Sequence, residues 1–319
     1  MECLQNELMM PNSLHNSHRK KIGLVLGSGS ARGFAHIGVI RELASMGIEP
    51  DIVCGTSTGA LVGATYVKGQ LDLLESWVRE MNTRNVVKYF DIRLVVGGGF
   101  VEGKWLMDFL RKRFGEILIE ELPKPFATVA TDLKTGREVW IRNGPLWDAV
   151  RASIALPGFI TPTRVADQWL VDGGLVNPVP VSLCRAMGAE FIVAVNLNGD
   201  IVGKHFNEDM KAATKKKDAS TEAKLLDKLT IRLKERVRSG TPGLFDVLAG
   251  SINIMQDRIT GGRLADHPPD VMITPHLAHI GLLEFDRAGE TIDEGRAAVK
   301  RMAEALKNAV RELWKKTDG

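Results

Sequence analysis

Two short apolar runs, each ending in a glycine-rich turn and each followed by a helical pattern, constrain this chain more than any other feature. Lys21 to Leu26 (KIGLVL) reads as a buried strand. The loop GSGSARG follows at 27–33. FAHIGVIRELASMGI (34–48) then has helical spacing, with Ile37, Ile40, Leu43 and Ala44 on one side. Asp51 to Cys54 (DIVC) is a second strand, GTSTG at 55–59 a second turn, and ALVGATYVKG a second helix. Parallel strands cannot be joined by a hairpin and need a crossover, so a strand, turn and helix used twice in succession imply a parallel sheet. Further strands are expected at Phe126–Ala130, Glu138–Ile141, Trp169–Val171 and Phe191–Val195. The expected class is α/β, a mainly parallel central sheet covered by helices on both faces.

Four regions are expected along the chain. Residues 1–20 read as a polar, mobile lead-in and 21–200 as the core. Residues 201–240 read as a charged insertion or lid-like segment, with an amphipathic stretch LLDKLTIRLKERV that a helix on a core or on a lipid surface would equally use. Residues 241–319 are expected to be helical and to pack on the core, ending in one long helix from Asp286 to Lys316. The net charge is only +3, and Lys and Arg alternate with Asp and Glu, which argues against nucleic acid as a partner. The first 20 residues lack the apolar centre of a secretory signal, and no apolar run reaches the ~18 residues of a membrane span. The expected location is the cytoplasm, with peripheral contact at the inner membrane face left open. Cys3, Cys54 and Cys184 have neither zinc-site spacing nor the pairing of a disulfide framework. No metal and no cofactor are expected.

Three places carry chemistry. In Gly55-Thr56-Ser57-Thr58-Gly59, a serine on a sharp strand-to-helix turn is exposed at the sheet's edge, and flanking side chains would collide with the strand and helix, hence glycine. The following helix points its positive end at the serine, which favours an oxyanion. The pattern is weak alone and gains from the strand before it and the helix after it. In Gly27-Ser28-Gly29-Ser30-Ala31-Arg32-Gly33, small residues let the backbone approach a ligand and its amides converge on an anion. A Walker loop would need Gly-Lys-Ser/Thr, and Phe34 follows Gly33 instead. A dinucleotide fingerprint counted from Gly27 would need glycine at Arg32, although Glu49 or Asp51 stands where its acidic residue belongs. In WLVDGG, Asp172 closes an apolar strand and Gly173 and Gly174 follow; a plain Asp-Gly turn is the ordinary reading, and a base for Ser57 the chemical one. His36, His267, His276 and His279 leave a histidine triad open.

In this order the three motifs resemble the patatin-like phospholipase family, as do RASIALPGFITP (151–162) and VDGGLVNPVPV (171–181). The likeness covers about 21–197 and continues more weakly through 244–290. The resemblance implies a three-layer fold and a serine acyl hydrolase acting on lipid or other acyl esters. It implies Ser57 as nucleophile, Asp172 as its partner in a dyad without histidine, and the backbone of Ser28-Gly29-Ser30 as oxyanion hole, with Arg32 in the place of the family's basic residue. Gly27, Gly33, Gly55, Gly59, Gly173 and Gly174 would support these motifs. The family's loop usually has three glycines, and Ser28 and Ser30 replace two of them. The alternative is a non-catalytic or nucleotide-binding α/β protein using the 27–33 loop.

Overall fold

A computed structural model describes residues 20–82, 104–199 and 244–315. The expected lead-in, apart from Lys20, and the expected insertion at 201–240 with its amphipathic stretch lie outside these residues. Eight strands form one sheet: β1 (Ile22–Leu26), β2 (Ile52–Thr56), β3 (Phe126–Asp132), β4 (Glu138–Ile141), β5 (Thr163–Val165), β6 (Gln168–Asp172), β7 (Phe191–Val195) and β8 (Val271–Ile273). The helices are α1 (Ala35–Ser45), α2 (Thr58–Val67), α3 (Leu71–Arg79), α4 (Lys104–Phe114), α5 (Leu146–Ser153), α6 (Val181–Ala186), α7 (Leu244–Asp266), α8 (Ala288–Arg301) and α9 (Ala303–Lys315). On α1, Ile37, Ile40 and Leu43 are buried as the spacing predicts, whereas Ala44 is exposed. Of the strands, β5 and β8, three residues each, have no counterpart in the sequence-based expectation.

Strands β1, β2, β3 and β7 are buried over their full length, which is why they read as unbroken apolar runs. Alternate side chains point to opposite faces, so each run feeds two cores. Leu24, Leu26, Val53, Phe126 and Val193 join the larger core, to which α1, α2, α3, α4, α5, α8 and α9 contribute. Val25, Ile52, Cys54, Ala127 and Ile192 join the smaller one, closed by α6. Helices α1 and α8 cross at backbone contact: a Cβ on Gly38 would lie 1.9 Å from the Ile292 carbonyl oxygen. The terminal helix expected from Asp286 to Lys316 is two helices, α8 and α9. A tight bond from the Met302 N–H to Val299 O ends α8 and redirects the chain into α9, with no proline or glycine to announce it.

The sheet is parallel through β3-β2-β1-β7-β8 and antiparallel where β4 and β6 meet β3 and where β5 meets β6. The register around β3 places the site. Thr128 and Val129 pair with both β2 and β4, so those two strands lie on opposite edges of β3. Ala130 and Thr131 pair with both β4 and β6, so β6 shares the β2 edge. β2 ends at Thr56 opposite Val129, and β6, running the other way, ends at Asp172 opposite Ala130. Two strands thus arrive head to head on consecutive rungs of a third, and both must turn away there.

Candidate active site

Ser57 is the residue at which β2 turns. Its φ of 58° and ψ of −127° are a conformation that side chains rarely adopt, and the turn carries the chain directly into α2 at Thr58. The turn is tight enough to need glycine after it: a Cβ on Gly59 would lie 2.1 Å from Leu26 O. Gly55 backs onto the same turn of α2, and Gly33 onto Thr58.

Asp172 is the residue at which β6 ends. Its Oδ2 accepts the Ser57 hydroxyl at 2.6 Å, and its Oδ1 accepts the Gly174 N–H at 2.7 Å. Main-chain bonds hold it on both sides: its N–H donates to Ala155 O, and its carbonyl accepts the Thr131 hydroxyl. Gly173 passes so close beneath β3 that a Cβ there would lie 2.3 Å from Val129 O. The carboxylate is fully buried, and desolvation lifts its pKa to about 6 against the Ser57 and Gly174 hydrogen bonds, which pull it down. Ser57 retains 8% exposure and Asp172 none.

The 27–33 loop lies beside this pair, and Thr58 Oγ1 donates to Ser30 O at 3.0 Å. Most of its amides are already engaged. Gly27 N–H donates to Val195 O, Ser28 to Pro178 O, Ala31 to Leu282 O and Arg32 to Gly29 O. Of the four residues expected to line an oxyanion hole, Ser28 and Arg32 therefore have committed amides. Among the described residues no hydrogen bond uses the Gly29 or Ser30 N–H. These two are consecutive, so the loop as described offers a pair of adjacent amides rather than a longer cradle. Gly29 has Leu197 at its back, and Ser30 sits at φ 51°.

Residues without any sequence-based expectation complete the site. Ser153 Oγ accepts the Ser57 N–H at 2.8 Å; it lies inside the 151–162 stretch that carried the family likeness. Gln256 Oε1 accepts both the Ser28 hydroxyl (2.9 Å) and the Asn198 amide (3.0 Å). Asn253 Oδ1 accepts Arg32 Nη2 at 2.7 Å, while Arg32 Nε donates to Gly29 O. Arg32 is thus wholly buried and ties its own loop to α7. Asn253, Gln256 and Thr260 are polar at helical spacing, and the structure buries all three; the spacing alone could have marked one face of a helix but not its partners.

Among the described residues no histidine hydrogen-bonds the Ser57 hydroxyl. His36 is fully buried with Nε2 2.7 Å from Gly27 O, and burial lowers its pKa to about 4, so it is a neutral donor to the loop. His279 bonds Glu290 near the surface. Among the described residues no group of acidic, histidine or cysteine side chains has a metal-holding arrangement, and no helix is long and apolar enough to cross a membrane.

An α/β fold with a mixed sheet thus carries a serine strained at a strand end, a buried carboxylate on its hydroxyl and a glycine-serine loop beside them. The model of the patatin-like phospholipase family matches residues 24–185, and the chain belongs to that family. It is 32% identical over 339 aligned residues to an uncharacterized NTE family protein of Mycobacterium tuberculosis, covering 92% of this chain and 94% of that one. It is also 34% identical over 183 residues to the neuropathy target esterase sws of Drosophila melanogaster, covering 55% of this chain and 13% of that one. Among solved structures, VipD from Legionella pneumophila aligns with 90% of this chain and 67% of its own at a TM-score of 0.46 and 13% identity.

Proposed function

We propose that the protein is a serine acyl hydrolase that cleaves carboxylic esters of lipids through a Ser57–Asp172 dyad and an acyl-enzyme. The observation that carries this reading is the 2.6 Å bond from the Ser57 hydroxyl to a buried carboxylate at the head-to-head strand ends. Family membership supports hydrolysis of lipid esters as the reaction class, and the Drosophila relative is itself named an esterase.

The chemistry follows from the geometry. An aspartate of ordinary pKa is a poor base for a hydroxyl; one raised to about 6 is a stronger base and is still mostly ionised at pH 7. Asp172 takes the Ser57 proton as Oγ adds to the ester carbonyl carbon. The carbonyl oxygen becomes an oxyanion, which the N–H groups of Gly29 and Ser30 receive; one such donor is worth roughly 3 kcal/mol in the transition state. The intermediate collapses, the C–O bond to the alcohol breaks, and the protonated Asp172 gives its proton to the departing oxygen. Water then adds to the acyl-enzyme and loses its proton to Asp172. Ser57 leaves and recovers that proton, releasing the acid. Ester and water become alcohol and acid, with the dyad restored.

A fluorophosphonate probe is expected to label the protein once, on Ser57, and Ser57→Ala to lose both label and ester cleavage. A label that maps elsewhere, or full cleavage by the folded Ser57→Ala protein, rejects the reading.

A further inference from the structure

We propose that the outward face of α7 docks the protein on the surface of a lipid aggregate, beside the entrance to Ser57. This rests on the reading of Ser57 as an acyl-ester nucleophile and adds where that substrate is met.

A surface helix normally turns its apolar stripe inward and its polar stripe to water. Helix α7 departs from this, although Ile252, Ala249 and Leu264 still pack inward. Its inward side carries Asn253, Gln256 and Thr260, all buried, and two of them hold the 27–33 loop. Nine large apolar side chains are exposed among the described residues, and four of them, Val247, Leu248, Ile254 and Met255, lie on the outward side of this one helix. At 100° per residue these four share an arc with Ser251 and Arg258, opposite the buried polar side. A fifth, Leu283, is next to Leu282, whose carbonyl takes the Ala31 N–H of the loop.

The stripe is continuous with the site. Ile252 of α7 packs with Leu156 and Leu282 in a small apolar cluster of its own, with Ala249 and Phe159 against it. Leu156 lies three residues beyond Ser153, which holds the Ser57 N–H. Apolar side chains therefore lead from the outer stripe to the segments that frame Ser57, the wall an acyl chain needs when it leaves a lipid layer. The charge fits the same occupant. From Val247 to Met255 the arc has no charged member, the exposed Arg258 follows within a turn, and the next charge on the arc is Asp266 at the helix end. An uncharged, mostly apolar face with one arginine beside it matches acyl chains beneath zwitterionic or anionic headgroups. A protein partner on this stripe would cover the segments that frame Ser57.

The experiment measures partition of the full-length Ser57→Ala protein onto phosphatidylcholine–phosphatidylglycerol vesicles by flotation, so that no lipid is consumed. A second protein carries Val247→Ser, Ile254→Ser and Met255→Ser as well. Each of these three side chains is nearly half exposed, so little packing is lost. Partition is expected to fall about a hundredfold in the second protein. With Ser57 restored, the triple variant is expected to lose vesicle-borne ester hydrolysis while still cleaving a short water-soluble ester. Should the triple variant melt early, Met255→Asp alone tests the same direction. Equal partition of both proteins, or no partition of either, overturns the proposal. So does a dimer that the triple variant converts to monomer without vesicle binding by either, since a second copy then covers the stripe. Failure of the Ser57 reading looks different: no cleavage of the soluble ester by either active-serine protein, whatever the partition.

Discussion

The two halves of the site are held by different means. The Ser57–Asp172 half is built from backbone: two strand ends on consecutive rungs of β3, a turn at φ 58°, and glycines pressed against neighbouring carbonyls. The 27–33 half combines main-chain bonds to Val195, Pro178 and Leu282 with side chains that lie far along the chain, Gln256 on Ser28 and Asn253 on Arg32. A sheet register cannot loosen locally, whereas a loop pinned by side chains loosens when one is removed. Substitutions in the first half should therefore abolish chemistry, and substitutions in the second should tune it.

The largest effect is expected from Asp172→Asn. Asparagine keeps the shape but cannot take the serine proton, so cleavage of a soluble ester should fall about ten-thousand-fold. Stability should move the other way. The folded carboxyl keeps its proton up to about pH 6, whereas unfolded aspartate releases it near 3.8. Between these values the folded state binds more protons, so stability falls as pH rises from about 4 to 6, by roughly 3 kcal/mol in all. Asp172→Asn should remove that loss and melt higher than the parent at pH 7, with the gain gone at pH 4. In the parent protein, kcat/KM should fall below about pH 6, where the base is protonated. A variant that melts lower at pH 7, or a parent profile flat down to pH 4, would break the claim that a buried, backbone-fixed carboxylate does the work.

An intermediate effect is expected from Gln256→Leu. It leaves the Ser28 hydroxyl and the Asn198 amide without their shared acceptor, a loss of about 1–3 kcal/mol in stability. On the proposed mechanism the loosened loop should cost about tenfold in kcat, with KM little changed, because there the loop meets the oxyanion rather than the ground-state ester. Ser28→Ala combined with Gln256→Leu should cost less than the two single losses added, since both break one bond. Unchanged kcat in Gln256→Leu would show that the loop is as self-supporting as the turn at Ser57.

The same contrast explains what the sequence revealed. The turn at Ser57, the strand before Asp172 and the glycines are local patterns within a few residues, which periodicity and turn chemistry make legible. The mainly parallel sheet was legible for the same reason, since β1, β2, β3 and β7 are apolar runs. The meeting of β2 and β6 on one edge of β3 was not, because nothing in either segment encodes register with a third strand. Ser153, Asn253 and Gln256 escaped because their partners are distant in sequence. Gln256 and Asn253 are bonded to residues 228 and 221 positions away. The break at Met302 has no local marker at all.

The smallest effects separate the two serines that replace glycine in the loop. Ser28 is nearly inaccessible, lies outside the left-handed region, and gives its hydroxyl to Gln256. Ser30 holds φ at 51°, where a side chain costs roughly 1 kcal/mol and glycine costs nothing beyond its greater freedom in the unfolded chain. Restoring glycine should therefore act in opposite directions. Ser28→Gly loses a buried hydrogen bond and should lower the melting temperature. Ser30→Gly trades strain against unfolded-state entropy and should change stability by less than about 1 kcal/mol, on the favourable side, which is a rise of at most about 3 °C. Its amide stays in place, so the rate on a soluble ester should remain within about twofold. Thermal unfolding of the two single variants side by side decides the point. If both shift downward equally, Ser30 is held by contacts beyond its backbone, and the loop is a more rigid half of the site than its side-chain anchors imply.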